Sequence, residues 1–142
     1  MNMSHFQTPE WREDRILRRA MQHNLFDHRC CRFLDLQDTD RKQIESRITL
    51  AGKPILVFFR DSATWTVVTT DEIATCHSEG VFQLPLDQVP RLIQLWPEFD
   101  DPSDAKHRAN YLAVGYPILK LWAPEGAELM ALWSILLMFI RK

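Results

Sequence analysis

The chain is poor in the features that most dedicated functional classes require. Glycine is scarce, four in 142 residues, and no glycine-rich loop is present that could wrap a phosphate. No serine stands in a nucleophile-elbow motif and no His-Glu-x-x-His occurs, so two familiar hydrolase signatures are missing. An excess of positive charge is lacking as well. With 17 Lys and Arg against 19 Asp and Glu, the formal net charge is -2, which argues against a dedicated nucleic-acid binder. The cysteines, Cys30, Cys31 and Cys76, are odd in number and two are adjacent. They do not make a disulfide framework and read as reduced thiols in a cytoplasmic protein. The most apolar stretch, Leu129 to Ile140, falls short of the ~20 residues a bilayer core demands. It also follows Glu128, so a core helix is expected there and stable membrane insertion is not. The first residues carry no basic region followed by an apolar run, so no secretory leader is expected.

What the chain does have is a dense run of strand signals. Ile55 to Phe59 is continuously apolar. A turn follows at Asp61-Ser62-Ala63, and Thr64 to Thr70 is rich in β-branched and aromatic residues. A third run spans Glu72 to His77, then a Glu79-Gly80 turn leads into Val81 to Leu86. Short runs closed by polar or glycine turns predict an antiparallel meander. Pro85 places the fourth run at an edge or an end. Two further short strands are expected around Gly115, over Ala109 to Val114 and Tyr116 to Trp122.

Helices flank this sheet. Thr8 can cap and Pro9 suits a first helical position, and Trp11, Ile16, Leu17, Ala20, Met21 and Leu25 recur at helical spacing. Arg12, Arg15, Arg18 and Arg19 lie among them, either as a strip for a phosphate or a partner, or as a solvated face paired with acids such as Glu13 and Asp14. A second helix is expected from Asp38 to about Leu50, stopped by Gly52. A last one is expected from Pro124 to Ile140, with Glu125, Glu128, Ser134 and Arg141 left for water and Trp133 buried against the strands of Val67 and Leu84. So apolar a helix could also serve dimerisation.

Candidate chemistry is thin. His23, His28, Cys30 and Cys31 are the densest set of metal-ligand types, but zinc sites usually need two separated pairs, and the adjacent cysteines diverge. No metal and no cofactor is expected. Cys76 and His77 are neighbours on a strand and point to opposite faces, so they are not a nucleophile with its base. No catalytic residue is assigned, and an enzyme is not expected. Residues 97 to 104 form the most loop-like stretch, with Glu98, Asp100, Asp101 and Asp104 around Phe99 and two prolines. They lack the glycine turn and closing glutamate of a calcium loop. An aromatic ringed by charge suits a contact surface, so Glu98, Phe99, Asp100, Asp101 and Asp104 are the candidate partner-binding residues.

Three segments carry a resemblance: Trp65 to Ile73, Phe82 to Val89, and the strand pair near Tyr111 and Leu119 followed by a helix with Trp133. Together they resemble a pleckstrin-homology-type or GRAM-like domain over about residues 53–142. The resemblance implies an α+β chain with a curved antiparallel sheet, or partly open barrel, closed by the C-terminal helix. Residues 1–52 would be a helical extension packed on that domain. Such folds are mainly binding platforms. The family's lipid-binding members are basic around the first hairpin, where this chain offers only Lys53 and Arg60. The expected function is therefore protein binding by a small bacterial protein that is similar in general character to an immunity protein neutralising a cognate toxin. A membrane-surface or lipid-binding module, or an adaptor, is the alternative.

Overall fold

The computed structural model describes residues 8–96, 108–115 and 118–140. In chain order it comprises α1 (Pro9–Gln22), β1 (Cys31–Arg32), α2 (Asp38–Arg47), β2 (Pro54–Asp61), β3 (Thr64–Thr69), β4 (Glu72–His77), β5 (Gly80–Pro85), β6 (Ile93–Leu95), β7 (Tyr111–Val114), β8 (Leu119–Trp122) and α3 (Ala127–Leu137). The chain is α+β with two antiparallel sheets, a five-stranded meander β1 to β5 and a three-stranded sheet β6 to β8. The described strands do not close into a barrel.

The five-stranded sheet has a separate core on each face. The register sets Val57 opposite Val67 and Val67 opposite Ala74, and it sets Leu56, Val68, Ile73 and Leu84 in a second aligned row. Since successive side chains point to opposite faces, these rows belong to different cores. Leu56, Phe58, Val68 and Ile73 face the larger core, shared with Ile16 of α1, Leu112 and Leu121 of the second sheet, and Leu129 and Leu132 of α3. Val57, Trp65, Val67, Ala74 and Cys76 face a smaller one closed by Phe33 and Ile44. Burial on both sides explains why Ile55 to Phe58 reads as unbroken apolar sequence.

Thr8 caps α1, accepting the Trp11 N–H at 3.2 Å, with Pro9 where its missing donor costs nothing. Only Ile16 and Ala20 of this helix are buried. α2 ends at Arg47, three residues before the expected Leu50, because Ile48 turns extended. The β-branched pair Ile48-Thr49 is stiff in a helix. The released segment is instead tied to the sheet. Ala51 N–H donates to Glu72 Oε2 at 2.6 Å, and Thr69 Oγ1 donates to the Ala51 carbonyl at 2.6 Å. Gly52 is needed there: its φ is +80°, and a Cβ would lie 2.6 Å from Thr70 Oγ1.

α3 spans Ala127–Leu137 rather than the expected Pro124 to Ile140, with Gly126 at its N-cap, and it differs from its sequence expectation in two further respects. Its main neighbours are α1, β7 and the Leu25–Asp27 turn. Its buried residues are Glu128, Leu129, Ala131, Leu132, Ile135 and Leu136, while Trp133 is only half-buried and Val67 lies in the other core. A helix apolar nearly all round carries no sequence signal for which side faces inward. Glu128, expected in water, is 3% exposed and meets Arg29, whose Nε donates to Glu128 Oε2 at 2.7 Å. That contact crosses 99 positions of sequence, so no local pattern announces it.

Candidate functional site

The two sheets meet where β8 crosses the face of β3 and β4. A strand edge buried there would leave backbone groups unpaired at a cost of about 1–3 kcal/mol each. Side chains supply the partners. Thr66 Oγ1 donates to the Trp122 carbonyl at 2.6 Å, and the Trp122 N–H donates to Thr75 Oγ1 at 3.3 Å. Thr66 has thus committed its proton, so Thr75 donates in the 2.8 Å bond between the two hydroxyls. Two residues further along the edge, the Lys120 carbonyl lies 2.9 Å from His77 Nε2. His77 Nδ1 accepts the Glu79 N–H at 3.2 Å, which fixes the proton on Nε2. The short threonines admit the crossing backbone, where longer side chains would hold it away.

Next to this junction stands a cation among aromatic rings. Lys120 Nζ lies 4.1 Å from the Tyr111 ring centroid and 4.7 Å from that of Trp96. It also pairs with Glu79 Oε2 at 2.8 Å. The Lys120 hydrogen bond first, and then the Lys120 charge, hold the Glu79 carboxyl below the usual carboxylate range, against the opposing effect of desolvation. His77 stacks on Phe82 at 5.3 Å and meets Tyr111 edge-on at 5.6 Å.

This cluster stands at the base of the acidic segment. The described chain stops at Trp96 and resumes at Arg108. The candidate residues Glu98, Phe99, Asp100, Asp101 and Asp104 lie outside the described residues. The strands on either side of them are paired, with Leu95 opposite Leu112 and the Trp96 N–H donating to the Tyr111 carbonyl at 3.0 Å.

The other residues singled out in the sequence are mostly engaged within the fold. Arg12 donates to the Thr70 carbonyl at 3.0 Å, Arg18 pairs with Asp14 at 2.9 Å, and Arg19 donates to Ser134 Oγ at 3.0 Å. Arg15 covers the Trp11 ring at 5.3 Å. Lys53 is held by Glu13 at 2.8 Å. Burial pushes the Cys30 thiol up to about 12, reinforced by Cys31 and Glu128. Burial also raises Cys31, together with Asp35, and raises Cys76 against the opposing pull of Arg47. None of the three is an activated thiolate. Among the described residues no group of three or more His, Cys, Asp or Glu side chains is placed to hold a metal ion. Among them, too, no helix is long and apolar enough to cross a membrane.

A cavity of about 470 Å³ opens beside the junction, lined by Arg29, Arg60, Asn110, Trp122 and Glu125 among others. Sequence reasoning missed it because its walls come from four separate stretches; Arg60 stood out as a hairpin cation and Glu125 as a water-facing residue, with nothing to join them. No family model, curated protein or solved structure matches the chain.

Proposed function

We propose that this chain is a non-enzymatic protein-binding protein, of the kind that neutralises a cognate bacterial toxin, and that it presents the segment Glu98 to Asp104 to its partner. The observation that carries the reading is the braced stem. Four carboxylates and Phe99 lie between two paired strands whose junction is fixed by the Trp96–Tyr111 hydrogen bond and by Lys120 against both rings. A fixed base lowers the ordering cost of binding. The carboxylates complement the basic clefts of toxins that act on nucleic acids or nucleotides, and Phe99 supplies an apolar anchor.

The frame we propose is pleckstrin-homology-like. Its support is the order of elements: the four-strand meander β2 to β5, the three strands β6 to β8, and α3 last. The test of function is to produce the product of the reading frame immediately upstream and mix it with this chain. Co-elution as a stable complex, with loss of that protein's toxicity, is the expected result. A neighbour that is neither toxic nor bound would remove the immunity reading.

A further inference from the structure

We infer that the open edge of β5 is a dimerisation edge: two copies of this chain pair their β5 strands antiparallel about a two-fold axis that passes between the two Phe82 side chains. β5 is the last strand of the larger sheet and has a strand partner on one side only among the described residues. Alternate residues of an antiparallel pair turn their N–H and C=O to the neighbour, and the rest turn theirs away. The turn at Ser78-Glu79 closes on His77 opposite Gly80, and at the other end the Leu86 N–H donates to the Asp71 carbonyl at 2.9 Å. Gly80, Phe82 and Leu84 therefore bond β4, while Val81 and Gln83 present N–H and C=O outward. Pro85 falls in the outward set, where its missing donor costs the ladder nothing. None of these outward groups has a hydrogen-bond partner among the described residues.

An open row of backbone donors and acceptors is matched by another extended strand. Three observations make that strand a second β5. First, Gly80 to Pro85 carries no charged side chain, so the strand can lie against its own copy without setting like charges together. Edges that stay single are commonly guarded by a lysine or an inward-pointing charge. Second, the outward groups are self-complementary. With Phe82 on the axis, Val81 of each copy faces Gln83 of the other, and every N–H and C=O of these residues finds a partner. A register centred on Gln83 would set the Val81 carbonyl against the Pro85 nitrogen, which has nothing to donate. Third, the pairing uses up the edge and stops. The edge of β8 is taken up by Thr66, Thr75 and His77, β1 is two residues long and β6 three. The contact is isologous and closes at the dimer. On the axis the two half-buried Phe82 rings meet at a non-hydrogen-bonded position, where opposed side chains come closest. His77, stacked on Phe82 at 5.3 Å, backs the ring.

The test is sedimentation equilibrium of the full chain, with amide-resolved hydrogen exchange over the same concentrations. A monomer–dimer equilibrium is expected, with no larger species. The Phe82 and Leu84 amides should be protected at every concentration, and those of Val81 and Gln83 only as the dimer forms. Phe82→Glu and Phe82→Lys each set like charges face to face on the axis and should each weaken the dimer by at least about tenfold. Mixed in equal amounts, the two variants should form a heterodimer, because opposite charges then face each other. A chain that stays monomeric up to about 1 mM would overturn the dimer. So would a dimer in which Val81 and Gln83 exchange as fast as in the monomer, a result read on the unmodified chain and independent of whether a variant folds. Unchanged dimerisation in both variants, or two folded variants that fail to associate when mixed, would overturn the pairing about Phe82. A chain that stays monomeric but protects Val81 and Gln83 on adding an unrelated extended peptide would give the edge to a foreign strand instead.

Discussion

The five-stranded and three-stranded sheets are built by opposite means. In the larger sheet, each strand from β2 onward pairs with the next across a turn of a few residues, and the strands run six to eight residues. The smaller sheet has strands of three or four residues, and β6 and β7 are separated by residues 96–110. The first sheet is held by backbone ladders and by a core on each face. The second gains its place through three side chains, Thr66, Thr75 and His77, that take up the edge of β8. A short strand can therefore be fixed firmly when its edge is satisfied from outside its own sheet. The region so fixed is the one that carries the acidic segment.

Substitutions in each region put this contrast to the test. The largest effect is expected for Leu132→Ala, which empties a fully buried position shared by α3 and the larger core and should cost about 2–5 kcal/mol in denaturant unfolding. Trp133→Ala should cost clearly less, roughly 1–2 kcal/mol, because Trp133 is only half-buried. An order reversed between these two would mean that α3 faces the core the other way round. Thr66→Val keeps the shape of the side chain and removes the donor to the Trp122 carbonyl, so it should cost about 1–3 kcal/mol. Its signature is local, with amide exchange speeding up in β8 before β2 to β5. A uniform loss of protection would show that the two sheets do not differ as described.

A smaller effect is expected for Lys120→Met, and it depends on pH. Because Lys120 lowers the Glu79 pKa, this contact stabilises the fold above the usual carboxylate range. That stabilisation is lost as pH falls through the lowered value. The variant should therefore melt below the wild type near neutral pH and converge with it in acid, with the difference reduced by salt. The mildest probe is thiol labelling of the native protein. Half-buried Cys31 should react first, while Cys30 in the larger core and Cys76 in the smaller one wait for local opening. The ratio of those two slow rates compares the cores directly.

Much of the larger sheet is legible in the amino-acid sequence. The turns at Asp61-Ser62-Ala63 and Glu79-Gly80 and the β-branched runs between them place β2 to β5 within one or two residues, β2 running on into Asp61 of the expected turn. Thr8-Pro9 likewise marks the start of α1. The illegible parts share one cause, dependence on distant residues. β1 is two residues long and exists only because Cys31 and Arg32 meet Val57 and Leu56. β6 is three residues long and is defined by Val114, Ala113 and Leu112. The inward face of α3 and the burial of Glu128 are set by α1 and Arg29, which no periodicity reveals. The cavity is hidden for the same reason. The acidic segment is plain in composition, and the structure adds the braced strands on either side of it.

Whether this brace presents Glu98 to Asp104 to a protein partner is decided by the binding kinetics of two variants with the partner identified by co-elution. Asp100→Asn combined with Asp101→Asn should slow association and flatten its salt dependence, since charge steers encounter, while leaving dissociation nearly unchanged. Phe99→Ala should mainly speed dissociation. Both variants should melt with the wild type. Unchanged association and dissociation in both variants would refute the proposed interface and move it elsewhere on the molecule.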